Sequence, residues 1–122
     1  MPDEYWFEEG CWISEWWNRA HDPMLSMVRA RVPPGGTTRR HRLNGITERY
    51  AVLGGQGRIE VGDAPPRNVG PGDVVLIPAG AAQRISNGGA EDLVFFAICT
   101  PRFTRGAYED LEPGRQEMLR KT

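Results

Sequence analysis

The sequence has few of the features that mark secreted, membrane-bound or nucleic-acid-binding proteins. Its 122 residues include only two histidines and two cysteines, Cys11 and Cys99. No apolar run approaches the ~18 residues of a membrane-spanning helix. The formal net charge of −1 excludes a strong electrostatic attraction to nucleic acid or to a membrane surface. We therefore expect no nucleic-acid or membrane partner, and two reduced, buried thiols.

The first ten residues, MPDEYWFEEG, are acidic and aromatic. They lack the basic region and the apolar stretch of a secretory signal peptide. This composition leads us to expect a cytoplasmic protein. The length suits one domain with a single core, which we place over residues 1–122.

Glycine and proline are abundant and divide the chain into short segments. The 15 glycines and 10 prolines recur about every eight to twelve residues, a rhythm typical of β-sandwiches and β-barrels. We predict an all-β barrel over about residues 10–102 and a tail over 103–122 that is helical from about Tyr108. The predicted strands cover residues 11–18, 26–32, 37–42, 48–53, 57–61, 73–78, 83–87 and 93–100.

Alternation along these strands predicts which side chains share a face, because residues two apart in a strand point the same way. Arg39 and His41 are predicted to share a face, and Leu43 continues it if the strand does. Glu48 and Tyr50 form a second such pair. Several strands therefore place polar groups where a pocket can collect them.

Two sets of residues have the spacing of a known pair of motifs. Four of them stand in a pattern of glycine, histidine, glutamate and glycine: Gly35, His41, Glu48 and Gly55. Four more follow in a second pattern: Gly72, Pro78, Gly80 and Asn87. Together they resemble the two motifs of the cupin superfamily. The resemblance implies a small, single-domain, antiparallel jelly-roll β-barrel.

The same resemblance implies a weakened metal site. Metal-binding cupins hold a divalent ion with three histidines and a glutamate, and the matching positions here are His41, Leu43, Glu48 and Gln83. Three of these, His41, Glu48 and Gln83, remain as candidate ligands for zinc, manganese, iron or nickel, with reduced affinity. The alternative is a metal-free pocket in which Arg39 or a protonated His41 pairs with Glu48, and Gln83 completes a hydrogen-bonded network.

These interpretations lead to three candidate functions. The first is a barrel that binds a small polar or anionic molecule, a sugar or an organic acid. An anion is preferred if Arg29, Arg31 and Arg39 converge inward. The second is a metal-dependent isomerase, epimerase or oxygenase in which Tyr50 moves a proton, although Tyr50 can equally be a filler of the barrel. The third is a structural or regulatory dimer with a vestigial cavity.

The first seventeen residues are unusually aromatic. Five large rings fall in this stretch: Trp6, Phe7, Trp12, Trp16 and Trp17. Aromatic side chains are enriched in interfaces, and small cupins commonly pair through edge strands, so we expect a homodimer. The alternative is that these rings close one end of the barrel.

Overall fold

The computed structural model describes residues 2–112, and β-strands make up nearly all of their regular structure. A 3₁₀ turn, Arg105–Ala107, precedes the last strand. None of the helical structure within residues 2–112 is long and apolar enough to cross a membrane. Eleven strands follow along this part of the chain: β1 (Glu4–Phe7), β2 (Cys11–Trp17), β3 (Ser26–Val32), β4 (His41–Leu43), β5 (Thr47–Gly54), β6 (Gly57–Val61), β7 (Arg67–Val69), β8 (Val74–Ile77), β9 (Gln83–Ser86), β10 (Leu93–Thr100) and β11 (Tyr108–Asp110).

The strands form two antiparallel sheets that face each other as a jelly-roll barrel. The six-stranded sheet has the order β1-β2-β3-β10-β5-β8, and the five-stranded sheet has the order β11-β4-β9-β6-β7. The main core lies between them and contains Val32, Val52, Ile59, Ile85 and Phe95, each at most 3% exposed. The predicted all-β barrel is confirmed.

Alternating burial shows how the sequence directs side chains inward. In β10, every second residue from Leu93 to Cys99 is buried, and the residues between them are half-buried. In β3, Ser26, Ala30 and Val32 face the interior. This is the period of two that a strand imposes on its side chains. Burying a side chain such as Phe95 contributes about 1.5–3 kcal/mol.

The motif glycines lie at turns with a left-handed backbone. Gly35, Gly55, Gly72 and Gly80 all have positive φ. At Gly55, a Cβ atom would also stand 2.3 Å from the carbonyl oxygen of Asp92, so no side chain fits there. These positions therefore serve the fold.

Asn87, the last motif residue, also has a structural role. Its buried amide nitrogen donates to the carbonyl oxygens of Val32 and Glu91, each at 2.8 Å. Its amide oxygen accepts the N–H of Gly89 at 3.0 Å. The side chain therefore ties β3 to the loop between β9 and β10.

Two local predictions were wrong. The strand predicted over residues 37–42 begins only at His41, because β4 covers His41–Leu43. Arg39 therefore precedes β4, and strand alternation does not govern the direction of the Arg39 side chain. The helix predicted from Tyr108 is absent from the described residues, because Tyr108–Asp110 pairs with β4 as a strand. The rest of that predicted helix lies outside the described residues. Two further strands, β1 and β7, were missed.

Candidate functional site

A buried hydrogen-bonded chain joins the two sheets. The amide nitrogen of Gln83, in β9, donates to Oε1 of Glu48, in β5, at 2.9 Å. The hydroxyl of Tyr50 donates to the amide oxygen of Gln83 at 2.7 Å. Glu48 and Tyr50 are two apart in β5 and therefore point into the same space, as alternation predicted. The structure thus brings Glu48, Gln83 and Tyr50 into contact.

His41 lies opposite Gln83 in the five-stranded sheet, but its ring contacts other partners. Its Nε2 is 2.8 Å from a carboxylate oxygen of Glu9, and its Nδ1 is 2.7 Å from the carbonyl oxygen of Arg39. The ring stacks on Tyr108 with centroids 5.0 Å apart. Both polar partners are acceptors, so both ring nitrogens carry a proton and the ring is an imidazolium paired with Glu9.

The electrostatics of the two buried groups agree with this assignment. Burial alone would lower the pKa of His41, but the hydrogen bond and charge of Glu9, together with the carbonyl of Arg39 and the charge of Glu48, outweigh burial and raise the pKa to about 9. Burial, and then the charge of Glu9, raise the pKa of Glu48 to about 7, although the hydrogen bond from Gln83 opposes the shift. At neutral pH His41 is therefore charged and Glu48 is poised between its two forms.

Glu9 is the functional residue that sequence reasoning missed. It lies in the turn between β1 and β2, outside both motifs, where Gly10 takes a φ of +106°. Its side chain is 12% exposed and reaches the buried imidazole of His41. The only local signal was an acidic pair beside a turn-forming glycine, which does not reveal a contact with a distant strand.

A cavity of about 60 Å³ lies against the inner face of the six-stranded sheet, and we call it the barrel cavity. Its wall is mostly apolar and reaches the surface beside Tyr5, which is 45% exposed, and the exposed Glu15. Five aromatic side chains line it: Tyr5, Phe7, Tyr50, Phe95 and Phe103. Three carboxylates also line it: Glu9, Glu15 and Glu48.

The three arginines do not converge inward, so the condition for an anionic ligand is not met. Arg39 points to Asp110, with Nε 2.8 Å from a carboxylate oxygen, and about a third of its side chain is exposed. Arg29 and Arg31 lie on the face of β3 opposite the cavity and pair with Glu4 at 3.4 and 2.9 Å. Within residues 2–112, no arginine, lysine or histidine lines the barrel cavity.

The residues at the family's ligand positions do not fit a metal ion. Both nitrogens of His41 donate hydrogen bonds, the amide oxygen of Gln83 accepts from Tyr50, and Leu43 is hydrocarbon. Among these four positions, only Glu48 has an oxygen without a strong hydrogen-bond donor. Its Oε2 accepts only from the thiol of Cys99, a weak donor, at 3.6 Å. In the part of the chain that the structure describes, no three histidine, cysteine, aspartate or glutamate side chains form a group able to hold a metal.

Tyr50 and the cysteines act as packing groups in this arrangement. The ring of Tyr50 packs on Phe95 with centroids 4.3 Å apart, and burial raises the pKa of its phenol well above its usual value. Its proton is held by Gln83, so it is poorly suited to proton transfer. Cys11 and Cys99 are free and buried, as predicted, and burial raises the pKa of both thiols.

Comparison with known proteins supports the architecture. A family model described as "Cupin domain" matches residues 28–99, which is more than half of the chain. Among curated proteins, none matches. A predicted oxalate decarboxylase from Thermotoga maritima is 24% identical over 82% of this chain and 91% of that one, with a TM-score of 0.72.

Two other solved structures share the fold at lower identity. KdgF from Halomonas sp. is 19% identical over 83% of this chain and 89% of that one, with a TM-score of 0.73. Oxalate decarboxylase from Bacillus subtilis is 20% identical over 98% of this chain but only 34% of that one, with a TM-score of 0.79. At these identities the likeness concerns the fold alone.

Proposed function

The chain belongs to the cupin family, and on that premise we propose that it binds a small molecule in the barrel cavity. The observation that carries the proposal is the lining of this cavity. An apolar, aromatic wall surrounds the buried carboxylate of Glu48, and the cavity reaches solvent beside Tyr5. Concave apolar sites with a few placed polar groups are the usual form of a ligand site.

The charges of the lining residues also indicate which charge the ligand carries. The preference for an anion depended on arginines that instead pair with acidic residues at the surface. Carboxylates are the charged groups that face the cavity from the described residues, so an organic acid meets repulsion there. The proposed ligand is therefore uncharged or cationic, and among the polar candidates a neutral fragment is favoured over an organic acid.

The metal-dependent isomerase, epimerase or oxygenase is not part of this proposal. That function requires His41, Glu48 and Gln83 to turn lone pairs toward one point. The two ring nitrogens of His41 carry protons and present no lone pair, and the amide oxygen of Gln83 accepts from Tyr50. Tyr50, its candidate proton carrier, is held by Gln83.

The binding proposal is tested by protein-observed NMR with small probes. tert-Butanol, isobutyramide and tert-butylammonium are titrated separately into the full chain, and chemical shifts of residues such as Ala30, Ala97 and Phe103 are followed. At least one probe is expected to shift these signals with saturation. The matched variant is Ala97→Leu, which fills the cavity from its wall without adding charge.

Saturable shifts that disappear in a folded Ala97→Leu protein support the proposal. If no probe moves the signals of the lining residues, or if the shifts are the same in Ala97→Leu, the barrel cavity is not a ligand site.

A further inference from the structure

We infer that the barrel cavity selects a small organic cation, an alkylammonium group held by the carboxylate of Glu48 and the surrounding aromatic rings. The inference rests on the proposed function and names the class of ligand for that same site. Charge and ring chemistry each point to a cation, and the volume of the cavity limits it to a small one.

The first step concerns the charge of Glu48. This side chain is buried, and its hydrogen-bond partners are the neutral amide of Gln83 and the neutral thiol of Cys99. The nearby imidazolium of His41 is bonded to Glu9, so its charge already has a partner. A buried carboxylate without a cationic partner is costly, and a bound cation supplies the missing counter-charge.

The second step concerns the rings. Phe7 and Tyr5 come from β1, Tyr50 from β5, Phe95 from β10, and Phe103 from the segment after β10. Aromatic faces attract cations, and alkylammonium groups are bound by cages of such rings. Phe7 already has one cation beside it, because the guanidinium carbon of Arg105 stands 5.7 Å from its ring centroid.

Arg105 does not itself fill the site. Its side chain is 70% exposed and pairs with Glu8 at 2.8 Å, and it is not among the lining residues. Arg105 therefore does not compete with a ligand inside the cavity.

The third step concerns size. A cavity of about 60 Å³ accommodates roughly four to six non-hydrogen atoms, since one water needs about 10–15 Å³ on this measure. A branched alkylammonium ion with five such atoms is of this size. Sugars and nucleosides are much larger, so they could place only a part of themselves in the cavity.

The test compares three probes of similar shape and different charge. tert-Butylammonium, tert-butanol and pivalate are titrated into the full chain at pH 8 by calorimetry, with NMR mapping of the lining residues. We expect tert-butylammonium to bind about tenfold more tightly than tert-butanol, and pivalate not to bind. The tenfold step corresponds to about 1.4 kcal/mol, which lies between the strengths of an exposed and a desolvated cation–aromatic contact.

Two variants assign the preference to its residues. Glu48→Gln should weaken tert-butylammonium and reduce its advantage over tert-butanol, while tert-butanol binds as before. Phe7→Leu should weaken tert-butylammonium more than tert-butanol. The control Glu91→Gln removes the same charge from the exposed loop before β10 and should change neither affinity.

The outcomes separate this inference from the function on which it rests. If tert-butanol binds as tightly as tert-butylammonium, or if Glu48→Gln preserves the difference, the cavity is a ligand site without selectivity for cations and the inference fails. If neither probe binds in the cavity, the inference and the proposed function both fail.

Discussion

The turn positions and the wall positions of the two motifs differ in how far they keep the family pattern. At the turns, Gly35, Gly55, Gly72 and Gly80 are all present, with positive φ. On the wall, one ligand position is a leucine and another is an amide. Turn positions are fixed by backbone geometry that only glycine accepts at low cost, whereas wall positions need only fill space and satisfy polar groups.

The buried polar groups of the barrel wall are satisfied by hydrogen bonds and an ion pair within the protein. Where the family pattern places three histidines and a glutamate around an ion, this barrel has an imidazolium–carboxylate pair, His41 with Glu9, and a hydrogen-bonded chain from Tyr50 through Gln83 to Glu48. The barrel therefore stays closed with different chemistry inside it. Fold and site can thus be changed separately, and substitutions at each kind of position should have different signatures.

The largest effect is expected at a turn. Gly55→Ala places a Cβ against the carbonyl of Asp92 and should lower the free energy of unfolding by about 3 kcal/mol or more. Gly35→Ala is the matched control, because Gly35 has the same φ of +79° and nothing within 4 Å of its Cβ position. It should cost only about 1–2 kcal/mol. Urea unfolding measures both, and equal losses would show that backbone strain alone sets the requirement.

The two buried ionisable groups of the barrel wall, Glu48 and His41, should make the stability of the protein depend on pH. The pKa of Glu48 is raised from 4.5 to about 7, and that of His41 from 6.5 to about 9. For each group, the contribution to folding stability is fully present below the pKa of the unfolded state. It is lost as pH rises through the higher pKa of the folded state. The free energy of unfolding should therefore fall between about pH 5 and pH 9, by about 2–3 kcal/mol for each of the two groups.

Thermal unfolding across this pH range checks the trend, and Glu48→Gln should flatten its lower part. Surface carboxylates such as Glu4 and Glu60 have lowered pKa values, held down by hydrogen bonds from Arg31 and Arg84. They lose stability only in acid, so they cannot produce a decline above pH 5. A stability that rises from pH 5 to pH 9 would contradict the assignment of the wall.

The smallest effect on stability is expected outside the barrel. The homodimer stays a prediction, and the outer face of the six-stranded sheet is where it should form, since Trp6 on edge strand β1 is 54% exposed and Leu76 on the other edge strand, β8, is 56% exposed. Leu76→Glu should leave unfolding within about 0.5 kcal/mol and shift the mass from dimer to monomer. Light scattering measures the mass, and a monomer before substitution would refute the dimer.

The sequence predicted much of the fold because its signals are local. Motif spacing, the turn glycines and alternation in β5 and β10 depend on neighbours within a few residues, and these predictions were correct. The tail was mispredicted because pairing of β11 with β4 overrode a weak local preference for helix. Within the site, alternation correctly placed Glu48 beside Tyr50.

The parts of the site that the sequence did not predict depend on contacts between residues that are far apart in the chain. Glu9 reaches His41 only because the turn between β1 and β2 packs over the end of β4, and no spacing within either motif encodes that. Arg39 was misplaced because β4 begins at His41, two residues later than the predicted alternation required. A difference of two residues in where a strand begins therefore decided whether this charged group faced the interior or the surface.

The protonation of His41 tests the central claim most directly. ¹⁵N NMR of the imidazole, assigned against a His21→Gln variant, reports whether both ring nitrogens carry protons. The account predicts an imidazolium at pH 7.5 that titrates near pH 9, is unchanged by millimolar zinc, and titrates at lower pH in Glu9→Gln. A neutral ring at pH 7.5, with one nitrogen whose signal moves when zinc is added, would contradict it.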